Sequence, residues 1–210
     1  MRLRNVKNKE EIMNNSPYLV KDCYDNKGKW HKLFGNNNPI YIEIGMGKGQ
    51  FIINNALNYK DINFIGIEKY DSVIAKALKK VPEGINNLLM IRADALDIDN
   101  IFDKEIDKIY LNFSDPWPKN RHHLRRLSSR VFLEKYDSIF CGNKDIEMRT
   151  DNKDLFSYSL VSFSNYGYIL EEVSLDLHKD NMPPITTEYE DKFSGQEMSI
   201  YFVRCSKDKK

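Results

Sequence analysis

Residues 40–68 read IYIEIGMGKGQFIINNALNYKDINFIGIE. The first five form an apolar run broken by one acid, Glu43, and followed at once by Gly45, Gly47 and Gly49. A short, isoleucine-rich run of this kind predicts a buried strand. Phe51, Ile52, Ile53, Ala56 and Leu57 then recur at helical spacing, and NFIGIE at 63–68 is a second strand. Strand, glycine turn, helix and strand make a βαβ unit, whose strands pair in parallel.

The alternation continues on the C-terminal side. Asp71 is placed to cap a helix running to Val81, which Pro82 and Gly84 stop. Strands are expected at 88–91, 107–113 and 146–149, with helices at 127–140 and 151–163. The last two strands, at 168–175 and 198–204, are separated by a long polar loop region at 176–197, which predicts an antiparallel pair at one edge. On the N-terminal side, Asn36-Asn37-Asn38-Pro39 breaks the chain. Residues 1–38 are polar and irregular apart from a short helix around 9–14. They read as an N-terminal extension, partly ordered and placed to contact RNA, ahead of a domain at 39–210. The class is α/β with a mainly parallel sheet.

At 210 residues the chain is long enough to bury a core without staples. Lys plus Arg is 32 and Asp plus Glu is 31, a net charge of +1, which excludes a uniformly basic coat or tail but not a local basic patch. No stretch approaches the 18 or so apolar residues of a membrane span, and MRLRNVKNKEEIM lacks the apolar region of a signal peptide. Cys23, Cys141 and Cys205 are odd in number and far apart, and the four histidines show no paired-ligand spacing. No metal site and a reducing, cytoplasmic setting are expected.

In open α/β sheets ligands sit beyond the carboxyl ends of the strands. Here a polar, mostly acidic group closes each of the first five: Glu43, Glu68, Asp94, Asp115 and Thr150-Asp151. The GxGxG turn allows close approach of backbone to a ligand, and Glu68 can take both hydroxyls of a ribose. That much suits a nicotinamide cofactor or S-adenosyl-L-methionine. Glu43 favours the second, because an acid beside a pyrophosphate is unfavourable while an ammonium and a sulfonium welcome it. Asp94 is placed to accept from an adenine amino group. In Asp115-Pro116-Trp117-Pro118-Lys119 two prolines stiffen the loop. Asp115 can accept from a methionine ammonium or a guanine edge, and Trp117 offers its face to a base or to the core. Lys119, Arg121, Arg125, Arg126 and Arg130, with His122 and His123 and no acid among them, make a concentrated basic stretch suited to phosphates. Arg2, Arg4, Lys7 and Lys9 can add to it. Thr187 and Glu190 are candidates to reach a guanine edge; a helix N-cap is the competing explanation of Asp151.

The block NFSDPWPK at 112–119, with Arg121-His122 and Arg125-Arg126-Leu127, closely resembles the signature of bacterial tRNA (guanine-N7-)-methyltransferases. So do TDNKDLF at 150–156, Asp176-Leu177-His178, and TEYE at 187–190 followed by Lys192-Phe193. The resemblance runs from Pro39 to Arg204. It implies methyl transfer from S-adenosyl-L-methionine to N7 of guanine 46 in the tRNA variable loop. It also implies a Rossmann-like class I methyltransferase fold, a seven-stranded sheet in the order 3-2-1-4-5-7-6 with the last strand antiparallel and helices on both faces. By motif, Glu43, Gly45, Gly47, Gly49, Glu68, Asp94 and Asp115 would form the donor site, with Asp115 catalytic. Lys119, Asp151, Thr187, Glu188, Tyr189 and Glu190 would contact the substrate, and Arg121, His122, His123, Leu124, Arg125 and Arg126 the RNA. A monomer or a homodimer is expected, the homodimer favoured. The sequence departs from the commoner pattern at Met46, Lys48 and Gln50 of the glycine turn, where Lys48 is expected to point outward, and at Arg149, where lysine is usual. The alternatives are a methyltransferase for another RNA or a small molecule, a non-catalytic RNA-binding protein, and a dehydrogenase.

Overall fold

The computed structural model describes residues 6–180, 185–193 and 198–208; Arg2 and Arg4 lie outside them. Eight strands form one sheet: β1 (Leu19–Val20), β2 (Ile40–Ile44), β3 (Asn63–Glu68), β4 (Leu88–Arg92), β5 (Ile106–Asn112), β6 (Phe140–Thr150), β7 (Ile169–Ser174) and β8 (Tyr201–Lys207). Their spatial order is β1-β4-β3-β2-β5-β6-β8-β7. β1 to β6 pair in parallel, and β8 runs antiparallel to both β6 and β7. Among the described residues the expected count of seven is therefore corrected to eight. The added strand is β1, only two residues long, which pairs with β4 through Leu19↔Met90 and Val20↔Ile91.

Burial on both faces explains the apolar runs. Ile40, Ile42 and Ile44 face one way and pack in a core with Phe132, Leu133 and Tyr136 of α6 (Arg130–Ile139) and with Phe156 and Phe163 of α7 (Lys153–Tyr166). Phe64, Leu88 and Met90 belong to a second core under α3 (Gln50–Asn58) and α4 (Asp71–Leu78). Helices thus cover both faces.

The segment ahead of β2 belongs to the same body. α1 (Lys9–Asn15) is followed by β1 and then α2 (Trp30–Phe34). Trp30 is fully buried against Phe102, with ring centroids 5.1 Å apart, and its indole N–H donates at 3.0 Å to the carbonyl of Ile101, the last residue of α5 (Ile98–Ile101). The Glu105 carboxylate accepts from the Gly28 and Trp30 N–H groups, each at 2.9 Å.

Helix boundaries differ from expectation for identifiable reasons. Asn152, not Asp151, caps α7: its side-chain oxygen accepts from the Leu155 N–H at 2.8 Å. Gly167, at φ 94°, ends that helix in the left-handed conformation. Asp71 is the first residue of α4, not its cap. The polar stretch expected to be a loop contains α8 (Glu188–Phe193). A capping box starts it: the Thr187 hydroxyl accepts from the Glu190 N–H at 3.1 Å, while the Glu190 carboxylate accepts from the Thr187 N–H at 2.7 Å.

Candidate active site

Because β4, β3, β2 and β5 are adjacent and parallel, their carboxyl ends form one rim. Glu43 is the penultimate residue of β2, Glu68 ends β3, and Asp94 and Asp115 follow β4 and β5 closely. The glycine turn lies at the centre of this rim, tied down where the N–H groups of Gly45 and Met46 donate to the Ile67 carbonyl at 2.9 and 3.0 Å. Gly45, Gly47 and Gly49 all have positive φ, at 79°, 56° and 77°. A Cβ on Gly45 or Gly47 would meet nothing within 4 Å, so these two leave an open cradle. A Cβ on Gly49 would lie 3.0 Å from the Ala77 Cβ, so that glycine serves the packing of α3 on α4.

The acids differ in their surroundings. Glu43 is only 2% exposed. One carboxylate oxygen accepts from the Asn112 amide at 2.8 Å, and the other, also buried, has no partner. Burial raises its pKa to about 7, opposed by the Asn112 hydrogen bond, the Arg149 charge and the nearby Ile52 backbone N–H, and reinforced by Glu68. Glu68 is raised as well, by burial first, with Asp115 adding to it. Its carboxylate accepts from the N–H groups of Gly47 (3.2 Å), Lys69 (2.8 Å) and Tyr70 (3.1 Å). Glu68 thus raises Glu43, and Asp115 raises Glu68, so a cation held beside Glu43 and Glu68 would relieve both. Asp94 stands apart: although partial burial opposes it, the Lys69 ammonium at 2.5 Å holds its carboxyl below the usual range.

The loop after β5 carries Asp115 on an unusual backbone. Phe113 and Trp117 have φ of 49° and 43°, and with Asn8 they are the non-glycine residues at positive φ among those described. Such conformations cost of order 1–3 kcal/mol each and persist where surroundings hold them. The Phe113 N–H donates to the Arg149 carbonyl at 2.8 Å. Trp117 meets the His122 ring edge-on at 5.8 Å, and the Arg125 guanidinium lies over the indole at 4.9 Å.

The basic stretch opens as a short 3-10 turn, Asn120–Arg125, ahead of α6. Lys119, Arg121, His123, Leu124 and Arg125 are exposed and His122 half-buried. Arg126, expected among the RNA contacts, is 7% exposed and turned inward, its guanidinium bonded to the Pro116 and Trp117 carbonyls.

A strap at 185–193 crosses the rim. Glu190 accepts from buried Arg149 at 3.2 Å, and Arg149 also donates to the Ile185 carbonyl at 2.8 Å. Tyr189 donates to Asp151 at 2.8 Å and packs on Phe113 with ring centroids 4.5 Å apart. Glu188 pairs with Lys48 at 2.5 Å and Lys80 at 3.1 Å. Lys48 thus turns to the strap. Thr187 and Glu190, expected at a guanine edge, are instead buried in the capping box and the Arg149 pair. Sequence reasoning passed over Asn112 and Arg149 as site residues. An arginine inside a buried strand, immediately before Thr150, was the available signal for Arg149.

A family model described as "Putative methyltransferase" matches residues 37–203. A tRNA (guanine-N(7)-)-methyltransferase of Lysinibacillus sphaericus is 51% identical over 96% of this chain and 95% of its own. One of Lachnoclostridium phytofermentans is 47% identical over the whole of both. Among solved structures, an antibiotic-related methyltransferase superposes with a TM-score of 0.66 at 19% identity, and the 16S rRNA methyltransferase KamB with 0.65 at 10%; each alignment covers 87% of this chain and 94% of the other. At such identities the likeness is one of fold: the Rossmann-like, mostly parallel sheet of class I S-adenosylmethionine-dependent methyltransferases.

Proposed function

The chain belongs to the family of tRNA (guanine-N(7)-)-methyltransferases, and from that premise we propose that it transfers a methyl group from S-adenosyl-L-methionine to N7 of guanine 46 in the tRNA variable loop, giving 7-methylguanosine and S-adenosylhomocysteine. The observation that carries this reading is identity of about half, sustained from end to end with relatives of that one activity.

The residues present suit the donor. The unpartnered oxygen of Glu43 is a buried acceptor awaiting a donor, and the cradle over Gly45 and Gly47 is clear. Glu43 and Asp115 would hold the ammonium end, Glu68 the ribose and Asp94 the adenine. The bound donor supplies an electrophilic methyl group on sulfur. Guanine N7 has an in-plane lone pair and no proton to lose, so no general base is needed. Positioning and electrostatics then carry the catalysis. Asp115, exposed on the rim and close enough to Glu68 to raise its pKa, favours the positive charge that develops on the purine. Lys119, Arg121, His123, Leu124 and Arg125, with half-buried His122 among them, present the surface that steers the RNA. Asp151, Glu188 and Tyr189 border the substrate side. Buried Cys23 and Cys205, with no bridge between them, fit a reducing cytoplasm, and no described helix is long and apolar enough to cross a membrane.

Incubation with labelled S-adenosyl-L-methionine and unmodified tRNA, followed by mapping of the product, tests the reading. Label at N7 of one variable-loop guanine supports it; label elsewhere or none refutes it. Asp115→Ala should lower turnover by at least tenfold at saturation, and near wild-type turnover would remove Asp115 from catalysis.

A further inference from the structure

Arg126 is the arginine of the basic stretch that faces inward. Its Nε donates to the Pro116 carbonyl at 2.9 Å and its Nη2 to the Trp117 carbonyl at 3.2 Å. The guanidinium lies 4.4 Å from the ring centroid of Tyr158 on α7. The backbone around it is anchored: the Arg126 N–H donates to His123, and the Ser129 N–H to Arg126. The Ser129 hydroxyl donates to the Leu124 carbonyl at 2.9 Å. The two carbonyls it grips follow Asp115 directly, and one belongs to Trp117, whose left-handed backbone needs outside support.

We propose that Arg126 is a positioning residue for the methyl transfer, clamping the loop that aims Asp115 and Trp117 rather than contacting tRNA phosphate. The proposal rests on the function given above. The chemistry requires arginine: a planar fork donates to two carbonyls while its face lies on Tyr158. A lysine ammonium keeps the charge but cannot do both. The clamp also joins the two halves of the site. The turn carrying the exposed RNA-facing residues and the loop carrying Asp115 share one guanidinium, so RNA seated on the first is in register with the second.

The test uses Arg126→Lys beside Arg126→Ala, with Arg121→Ala as the reference for a phosphate contact. Arg121→Ala should reduce the salt slope of tRNA binding by roughly 0.7–0.9, the value for one phosphate. Arg126→Lys should keep the wild-type slope and lose at least tenfold in kcat at saturating tRNA and donor. A second readout needs neither substrate nor donor. Trp117 is one of two tryptophans, and the other, Trp30, is fully buried; acrylamide quenching therefore follows Trp117, and should increase in Arg126→Lys. Arg126 variants that reduce the salt slope as Arg121→Ala does, with kcat and quenching at wild-type levels, would overturn the proposal. Failure of Arg126→Ala to fold leaves Arg126→Lys to decide. A wild-type protein that does not methylate tRNA would remove the functional reading, whereas active wild type with a fully active Arg126→Lys would remove the clamp alone.

Discussion

Replacing Glu43 with glutamine separates what the site costs the fold from what it contributes to binding. Its carboxyl is pushed up to about 7 in the folded protein against an ordinary 4.5, because it is buried, with Glu68 adding to the effect. The free energy equivalent of that displacement is about 3 kcal/mol. A raised folded pKa means that the native state holds a proton the unfolded chain has released. Stability is therefore full below about pH 4.5, declines as pH rises, and reaches its low plateau above about 7. Glu43→Gln removes this penalty. At about 2–4 °C per kcal/mol for a chain of this size, the variant should melt roughly 6–12 °C above wild type at pH 8.5 and with it at pH 4.5. Thermal unfolding followed by circular dichroism across that range measures the gap. Donor binding should move the other way. An ammonium needs the ionised carboxylate, so wild-type affinity for S-adenosylhomocysteine, read by calorimetry, should fall up to tenfold per pH step below 7. The variant should bind roughly 10–100-fold more weakly, as expected for loss of a charged hydrogen bond of about 1.5–3 kcal/mol, and without pH dependence between 5.5 and 7. A melting gap of equal size at both pH values, or wild-type affinity in the variant, would refute the reasoning.

Gly49→Ala should destabilise the fold by about 1–3 kcal/mol, since it adds strain at positive φ to a 3.0 Å contact with Ala77; Gly45→Ala, clear of neighbours, should cost less stability and more donor affinity, and denaturant melts beside calorimetry compare them. Arg149→Met should cost about 3–5 kcal/mol by leaving Glu190 buried without its partner, and adding Glu190→Gln should recover most of it in urea titrations. Trp30→Ala should cost about 3–5 kcal/mol in a single cooperative transition, showing that the segment ahead of β2 melts with the sheet; an unchanged midpoint would contradict its place in the core.

Much of the fold was legible because βαβ order is written locally. The Ile40–Ile44 run, the glycine turn and NFIGIE each have a period or a breaker that few other structures accommodate. β1 was not legible: two residues carry no period, and only β4 lying exposed at the sheet edge makes Leu19 and Val20 a strand. Trp30 likewise looked like part of a polar extension, because its burial partners Ile101 and Phe102 lie some seventy residues on. α8 was hidden for a different reason, its capping box at Thr187 and Glu190 falling in a stretch with no apolar stripe.

For the site, residue chemistry and strand-end position were enough to list the acids, the glycines and the basic stretch, since parallel connections bring successive strand ends to one rim whatever the details of packing. Which way each side chain turns depends on partners far away in the chain, and this is where the tertiary structure decided. Asn112 and burial set the protonation of Glu43. Lys48 is drawn to Glu188 across 140 residues, and Glu190 to Arg149 across 41. Arg125 and Arg126 are neighbours of identical chemistry, yet one is exposed over Trp117 and the other is folded beneath the same loop onto Tyr158. Adjacent side chains point in different directions by backbone geometry alone, and only the packed elements on either side determine which meets solvent and which meets a carbonyl.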